Sequence, residues 1–387
     1  MVAPRRSLVP KGWLLLLIGA LVALLAGLDG ATTLAGLRAP IQDLQLASIH
    51  GLLMVFGFLG TVIALERAAL MQSSRETSAL WAFVAPAASV AGVLLALIQV
   101  LAFPDSASRL SPALAWTIAM ASLVVVYVLL WRRSPSSAVV IQGVGGLAGL
   151  IGIVLWGLGV SQWIVVPWWL LFLILTVVGE RVGRARATFG NAPAHRVLVE
   201  SILAFVVLAV TFVQPDLVYP FFGMALVVLM IDVLLHDTAL KAISSEGQTK
   251  FTAAAMLTAY AWAIFAGILW VLYGPLQVGF PYDAVIHAVT IGFALSMVMA
   301  HAPIIVPIIT GKAVPYSPLT WVVWGLLQGG LVLRIVASTH TLDWLWQAGG
   351  VVDIFAILAF VVLLPALILV GGKQTPTEAG HNEDVDR

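Results

Sequence analysis

Residues 46–70 read Leu-Ala-Ser-Ile-His-Gly-Leu-Leu-Met-Val-Phe-Gly-Phe-Leu-Gly-Thr-Val-Ile-Ala-Leu-Glu-Arg-Ala-Ala-Leu, and between His50 and Glu66 only Thr61 carries a polar side chain. At about 1.5 Å of rise per residue, such a stretch crosses a hydrocarbon core roughly 30 Å thick as one α-helix. Charges and Pro/Gly breaks divide the whole chain into twelve runs of this kind. They fall near 12–35, 46–70, 79–103, 110–131, 137–160, 163–181, 197–214, 219–240, 252–274, 282–309, 317–338 and 350–371. The composition agrees: 61% of the 387 residues are apolar and 10% charged, whereas soluble domains carry about 45–50% and about 25%. The mean hydropathy is +1.06. The expected fold is therefore all-α: a polytopic twelve-helix bundle in one membrane domain, 1–371, whose surroundings are the lipid bilayer. A polar, acidic tail, 372–387, is expected to be disordered and cytoplasmic.

The same arithmetic excludes several classes. A net charge of +1 leaves no electrostatic footprint for nucleic acid. With no cysteine there is no disulfide framework, thiolate nucleophile, iron–sulfur ligand or covalent haem attachment. The first apolar run follows Arg5, Arg6 and Lys11 as a signal peptide would, but the many later spans favour a retained first helix. Sixteen of the nineteen Lys and Arg residues fall on one side of the twelve-span topology. Arg38 and Arg109 fall on the other, and Arg334 lies inside span 11. The positive-inside rule then places both termini in the cytoplasm of a bacterial-type inner (plasma) membrane. Even-numbered spans begin on the outer face.

Ionisable groups at membrane depth are costly, so each is a candidate for function. Of seven histidines only His50, His287 and His301 belong to apolar runs. His50 opens span 2 and His287 opens span 10, which puts both imidazoles roughly 5–10 Å below the outer surface. Two neutral imidazoles at one depth on two parallel helices can clamp a planar metal macrocycle, and haem iron accepts His as an axial ligand. The plainer reading is two unrelated interfacial histidines bonded to neighbouring helices. Arg334 lies near the same face, where its partner is either Asp353, as an ion pair, or a haem propionate held in a bidentate fork.

A second constellation appears when spans 2, 6 and 10 are aligned. Gly57-Phe58 precedes Glu66-Arg67 by nine residues, Gly292-Phe293 precedes His301 by the same nine, and span 6 ends in Gly179-Glu180-Arg181. Glu66 and Glu180 are 114 residues apart, and Glu180 and His301 are 121 apart. A recurrence every four helices suggests a threefold quasi-repeat that sets Glu66, Glu180 and His301 at similar depth on the inner side. Two carboxylates and an imidazole suit copper or another divalent metal, or a proton relay. Ordinary interfacial Glu-Arg chemistry is the alternative. Any such site is distinct from the outer one, because fourteen helical residues, about 21 Å, separate His287 from His301. Asp232 and Tyr260 are single polar points expected to be hydrogen-bonded within the bundle, and Gly143, Gly145, Gly146 and Gly149 suit close helix packing.

The stretch Ser48 to Phe56 resembles the second helix of haem-copper oxidase subunit I, where a histidine ligates a low-spin haem with its partner on the tenth helix. His50 to Ala64, Tyr260-Ala261-Trp262, His287 to Pro303 and Leu333-Arg334-Ile335 together resemble the NnrS family more closely. NnrS proteins are twelve-span haem- and copper-containing membrane proteins linked to nitric oxide stress. The resemblance implies an oxidase-like bundle, His50 and His287 as axial ligands of one haem b, and Arg334 on a propionate. The departures are as informative. Spans 6 and 7 contain no histidine, and Val289 stands where the oxidases carry the second histidine of HxH. The ligands of an oxygen- or nitric-oxide-reducing centre are thus missing, and a standard terminal oxidase or nitric oxide reductase is not expected. What remains is a haem-binding membrane protein acting in electron transfer or the nitric oxide response, with a redox partner or a diatomic gas as its counterpart. The competing expectation is a cofactor-free twelve-helix secondary transporter, whose fold would carry repeats and broken helices such as the prolines of span 10 permit.

Overall fold

The computed structural model describes residues 12–73, 79–106, 108–310 and 312–371. The expected tail, 372–387, lies outside them. Twelve helices long and apolar enough to cross a membrane run through the described chain: α1 (Trp13–Leu34), α2 (His50–Gln72), α3 (Leu80–Ala102), α4 (Leu110–Arg133), α5 (Ser137–Gly157), α6 (Gln162–Arg184), α7 (Asn191–Val210), α8 (Pro215–His236), α9 (Gly247–Tyr273), α10 (Phe280–Pro307), α11 (Leu319–Thr339) and α12 (Asp343–Leu369). There is no strand among the described residues. The chain is a twelve-helix bundle of membrane-spanning type.

The largest boundary differences fall at helix starts. α7 begins at Asn191 and not 197, because Gly190, at φ +68°, breaks the chain there and the polar first turn (Asn191 to Arg196) is tolerated at a helix end. α8 begins at Pro215, a residue whose fixed φ suits a first turn. α12 begins at Asp343, whose charge complements a helix N-terminus.

Burial ranks the helices. In α2 and α6, 78% of the apolar window is buried inside the bundle, and in α10 61%, against 22% in α7 and 17% in α12. Spans 2, 6 and 10 are therefore interior, and the peripheral helices turn apolar faces outward, where lipid would lie. Small residues let the interior helices approach closely. A Cβ on Gly145 would sit 3.0 Å from Leu175 of α6, and one on Gly152 would sit 2.6 Å from the Trp169 ring.

Two interior helices depart from α geometry. In α2, residues Leu53–Gly60 form a π segment, and in α10, Ala288–Leu295 form another. Each begins within one turn of a histidine, His50 or His287, and each contains the Gly-Phe pair noted above. π turns are rare and gather at functional sites. In α2 the loosened backbone is held from the side. Ser89 of α3 donates to the Phe56 carbonyl (2.8 Å), and Thr61 donates to Gly57 (2.6 Å) while also bonding Ser89 (2.8 Å). In α10, Gly292 leaves room for the Trp262 indole, which a Cβ there would approach to 2.4 Å. α6 carries no π segment.

The tightest backbone contact joins α8 to α9, where a Cβ on Gly223 would lie 2.4 Å from the Gly267 carbonyl oxygen. Backbone cannot rotate aside as a side chain can. Gly223→Ala is expected to push the helices apart at a cost of about 1–3 kcal/mol, read as a lowered melting temperature of the detergent-solubilised protein. Gly325→Ala, with nothing within 4 Å of the added carbon, serves as the control and is expected to leave the melting temperature unchanged or raise it.

Candidate functional site

His50 and His287 line one cavity of about 400 Å³, walled by α1, α2, α6, α10, α11 and α12. That volume lies within the range of small-ligand and cofactor pockets. The wall is mostly apolar and aromatic, with Met54, Trp169 and Ile354 beside a short polar arc of Asp283, Arg334 and Asp353. The two imidazoles lie within electrostatic reach of each other and of Arg334.

The histidines are held differently. His287 sets Nδ1 at 2.8 Å from the Asp283 carbonyl, one turn earlier on its own helix, and at 3.3 Å from the Asp283 carboxylate. A ring N–H donated there leaves Nε2 with its lone pair, the form in which imidazole ligates a metal. The His50 side chain makes no hydrogen bond among the described residues, and its Nδ1 is buried without a partner. A buried ring nitrogen left this way costs free energy.

Arg334 does not pair with Asp353. Its Nε and Nη2 donate to the two oxygens of Asp283 at 3.0 and 2.7 Å, and its guanidinium lies over the Trp346 ring at 4.3 Å from the centroid. Asp283 wins because it sits one turn from His287 on α10, with its oxygens aligned to the guanidinium fork. Asp283 thereby orients Arg334 and His287 at once, and Trp346 Nε1 adds a long contact to it (3.4 Å). Asp353 stays in the cavity wall, 2% exposed, with neither carboxylate oxygen bonded.

At the opposite end of the bundle, Glu66, Glu180 and His301 do not assemble as a metal centre. Arg67 lies 3.3 Å from both glutamates, and Arg184 lies 2.6 Å from Glu180 and 3.4 Å from Glu66. The four charges form a compact lattice in which the carboxylate oxygens are already taken. His301 turns to a neighbouring network: Nδ1 meets the Met297 carbonyl at 2.7 Å, and Arg181 Nη1 lies 3.1 Å from Nε2. Arg181 also grips Asp237 through two bonds of 2.9 and 3.1 Å, and Tyr260 donates to the same carboxylate at 2.8 Å. Among the described residues no group of three or more His, Cys, Asp or Glu side chains could hold a metal. The three residues expected to share a second metal site, Glu66, Glu180 and His301, each meet an arginine instead of one another. Asp232 is likewise committed, to Arg196 and to His236 at 3.1 Å.

A family model described as a domain of unknown function (DUF8744) matches residues 13–369. The chain belongs to the DUF8744 family. The match covers every one of the twelve membrane-type helices, so both the histidine cavity and the ionic lattice lie within the family's domain. No curated protein and no solved structure matches the chain.

Asp283, Trp346 and the π segments complete the site in this DUF8744 protein. Asp283 had a legible signal, since it precedes His287 by four residues and so shares its helix face. Trp346 reads from the sequence as a belt tryptophan, and only the packing of α12 on α11 brings it beneath Arg334. The Arg181–Asp237 pair, with side chains 7% and 0% exposed, has a measurable signature. Arg181→Gln is expected to lower stability by about 3–5 kcal/mol, because it strands a buried carboxylate. The double variant Arg181→Met/Asp237→Leu should recover most of that loss, as a double-mutant cycle of melting or denaturant titrations would record.

Proposed function

We propose that this DUF8744 protein binds haem b in the membrane, with His50 and His287 as axial ligands, in electron transfer or the response to nitric oxide. The observation that carries the reading is that His50 and a carboxylate-oriented His287 line one mostly apolar cavity. The donor set fits the group. Imidazole is a haem ligand, the apolar and aromatic wall suits a porphyrin, and the bonds from Asp283 present the Nε2 lone pair of His287. A haem b bound there would supply one-electron chemistry, with gas binding wherever one axial position opens.

The chain's own contribution is positioning. Asp283 fixes the ring orientation of His287 and holds Arg334, whose Nη1 makes no hydrogen bond among the described residues and is left for a carboxylate such as a propionate. The π turns beneath both histidines set the helix backbones around the cavity. The resemblance of His50 to Ala64 and of His287 to Pro303 to the NnrS family, and the oxidase-like threefold arrangement it implies, belong to this proposal. So do a bacterial inner membrane and two cytoplasmic termini. The cavity then opens toward the outer face, where a redox partner or a diffusing gas would reach it.

A reduced-minus-oxidised visible spectrum of the purified protein, expressed with ample haem, tests the reading. A b-type spectrum lost in both His50→Ala and His287→Ala is the expected result. Asp283→Asn should retain the spectral type but weaken haem retention by about 10–100-fold, the usual loss when a partner of a ligating histidine is removed. A folded but colourless wild-type protein would overturn the proposal and leave the cofactor-free transporter. Topology is separately testable because the chain has no cysteine. In intact cells an impermeant maleimide should label His340→Cys, and it should label Lys241→Cys only after permeabilisation.

A further inference from the structure

The residues that α2 and α10 turn toward the histidine cavity share one unusual spacing. Among them are His50, Met54 and Leu59 on α2, and Ile286, Thr290 and Leu295 on α10, each set stepping by four and then five residues. A straight α-helix turns by about 100° per residue. Nine such residues would leave Leu59 and Leu295 about half a turn out of phase with His50 and Ile286. They share a face because the π segments, Leu53–Gly60 and Ala288–Leu295, take more residues per turn. His287, beside Ile286, lines the same cavity.

π turns are rare, and one that persists needs neighbours that hold it. Both segments run directly into a fully buried hydroxyl at the same register. Thr61 and Ser296 each stand four residues after the glycine of the segment, Gly57 or Gly292. Thr61 meets Ser89 of α3, whose hydroxyl also reaches the Phe56 carbonyl. Ser296 accepts from Gln328 Nε2 of α11 at 2.9 Å, and Gln328 Oε1 accepts from Trp262 Nε1 of α9 at 2.7 Å. The same indole packs against Gly292.

Gln328 lies midway along α11 (Leu319–Thr339), at a depth where an amide is costly unless it is bonded. Both ends of its amide are spent on the α10 segment and on the tryptophan that covers it. Further along α11, Arg334 bonds Asp283, which precedes the same segment. One helix therefore grips α10 on both sides of its π turns, at Asp283 and at Ser296.

We propose that Gln328 and Thr61 are positioning residues, whose hydrogen bonds lock the π segments and so keep His50 and His287 turned toward the cavity. Without the lock a segment rewinds toward α geometry, and the histidine end of the helix rotates relative to the inner end. The inference deepens the haem reading and rests on it for what the histidines hold. The phase of the helices is read without any cofactor.

The test uses the full-length protein, which has no cysteine of its own. Single cysteines are introduced into haem-free protein in detergent, and their rates of reaction with a small thiosulfonate are compared. Ile286→Cys and Thr290→Cys, in the cavity wall, are expected to react faster than Ala288→Cys, at a fully buried position. Gln328→Met, which keeps the length of the side chain and loses both hydrogen bonds, is expected to reverse that order. On α2, Thr61→Val is expected to slow the reaction of Met54→Cys, and Thr61→Ser, which retains the hydroxyl, to preserve it. In haem-loaded protein, Gln328→Met and Thr61→Val are expected to convert low-spin to high-spin iron in electron paramagnetic resonance as one imidazole turns away, while Thr61→Ser stays low-spin. An unchanged order of rates in Gln328→Met overturns the lock on α10, and an unchanged Met54→Cys rate in Thr61→Val overturns that on α2, whatever the haem result. Rate changes in a protein that never takes up haem overturn the haem reading and leave the lock standing. The two variants act on different helices, so that misfolding of one leaves the other to decide.

Discussion

Hydrocarbon offers no hydrogen bonds, and that constraint orders everything else in this molecule. Each crossing segment must close its own backbone bonds, so the chain becomes twelve helices and no described residue enters a strand. Charged side chains then have two solutions: an end of the bundle or a partner inside it. Both appear here. Asp283, Arg334 and His287 satisfy one another near one end, while Glu66, Arg67, Glu180 and Arg184 do so at the other.

The two ends differ in what they leave unsatisfied. At the histidine end an imidazole nitrogen of His50 and both oxygens of Asp353 are buried without partners around an apolar cavity. Such groups are destabilising when they are left without partners. At the opposite end the carboxylates are saturated by arginine. Among the described residues the π segments sit on α2 and α10, the helices that carry His50 and His287. They depend on packing partners such as Ser89 and Trp262 to cover what the looser turn exposes.

Much of this was legible in the residues. Twelve spans follow from run length and charge placement, and His50 and His287 stand out because ionisable groups in apolar runs are scarce. That Gly143, Gly145, Gly146 and Gly149 serve packing was also readable, and they lie against α4 and α6. The similar depth of Glu66, Glu180 and His301 was legible, but depth says nothing about rotation, and packing brings each of them to an arginine. Arg67 and Arg184 follow their glutamates closely in sequence and reach the same carboxylates first. Arg334 illustrates the same gap, since Asp353 and Asp283 are both plausible from position and only helix packing chooses between them.

Composition and the spacing of charges alone determined that the chain is a twelve-helix membrane bundle, because the cost of burying charge and open backbone in hydrocarbon admits no other fold for such runs. They also mark its few interior histidines as candidates for function. Tertiary structure decided which polar groups meet: that Asp283 joins Arg334 to His287, that the glutamates are spent on arginines, and that His50 is left unpaired beside a cavity. The reason is geometric. A helix with a period of 3.6 residues carries side chains all the way round, and the azimuth at which each faces a neighbour is set by packing against other helices.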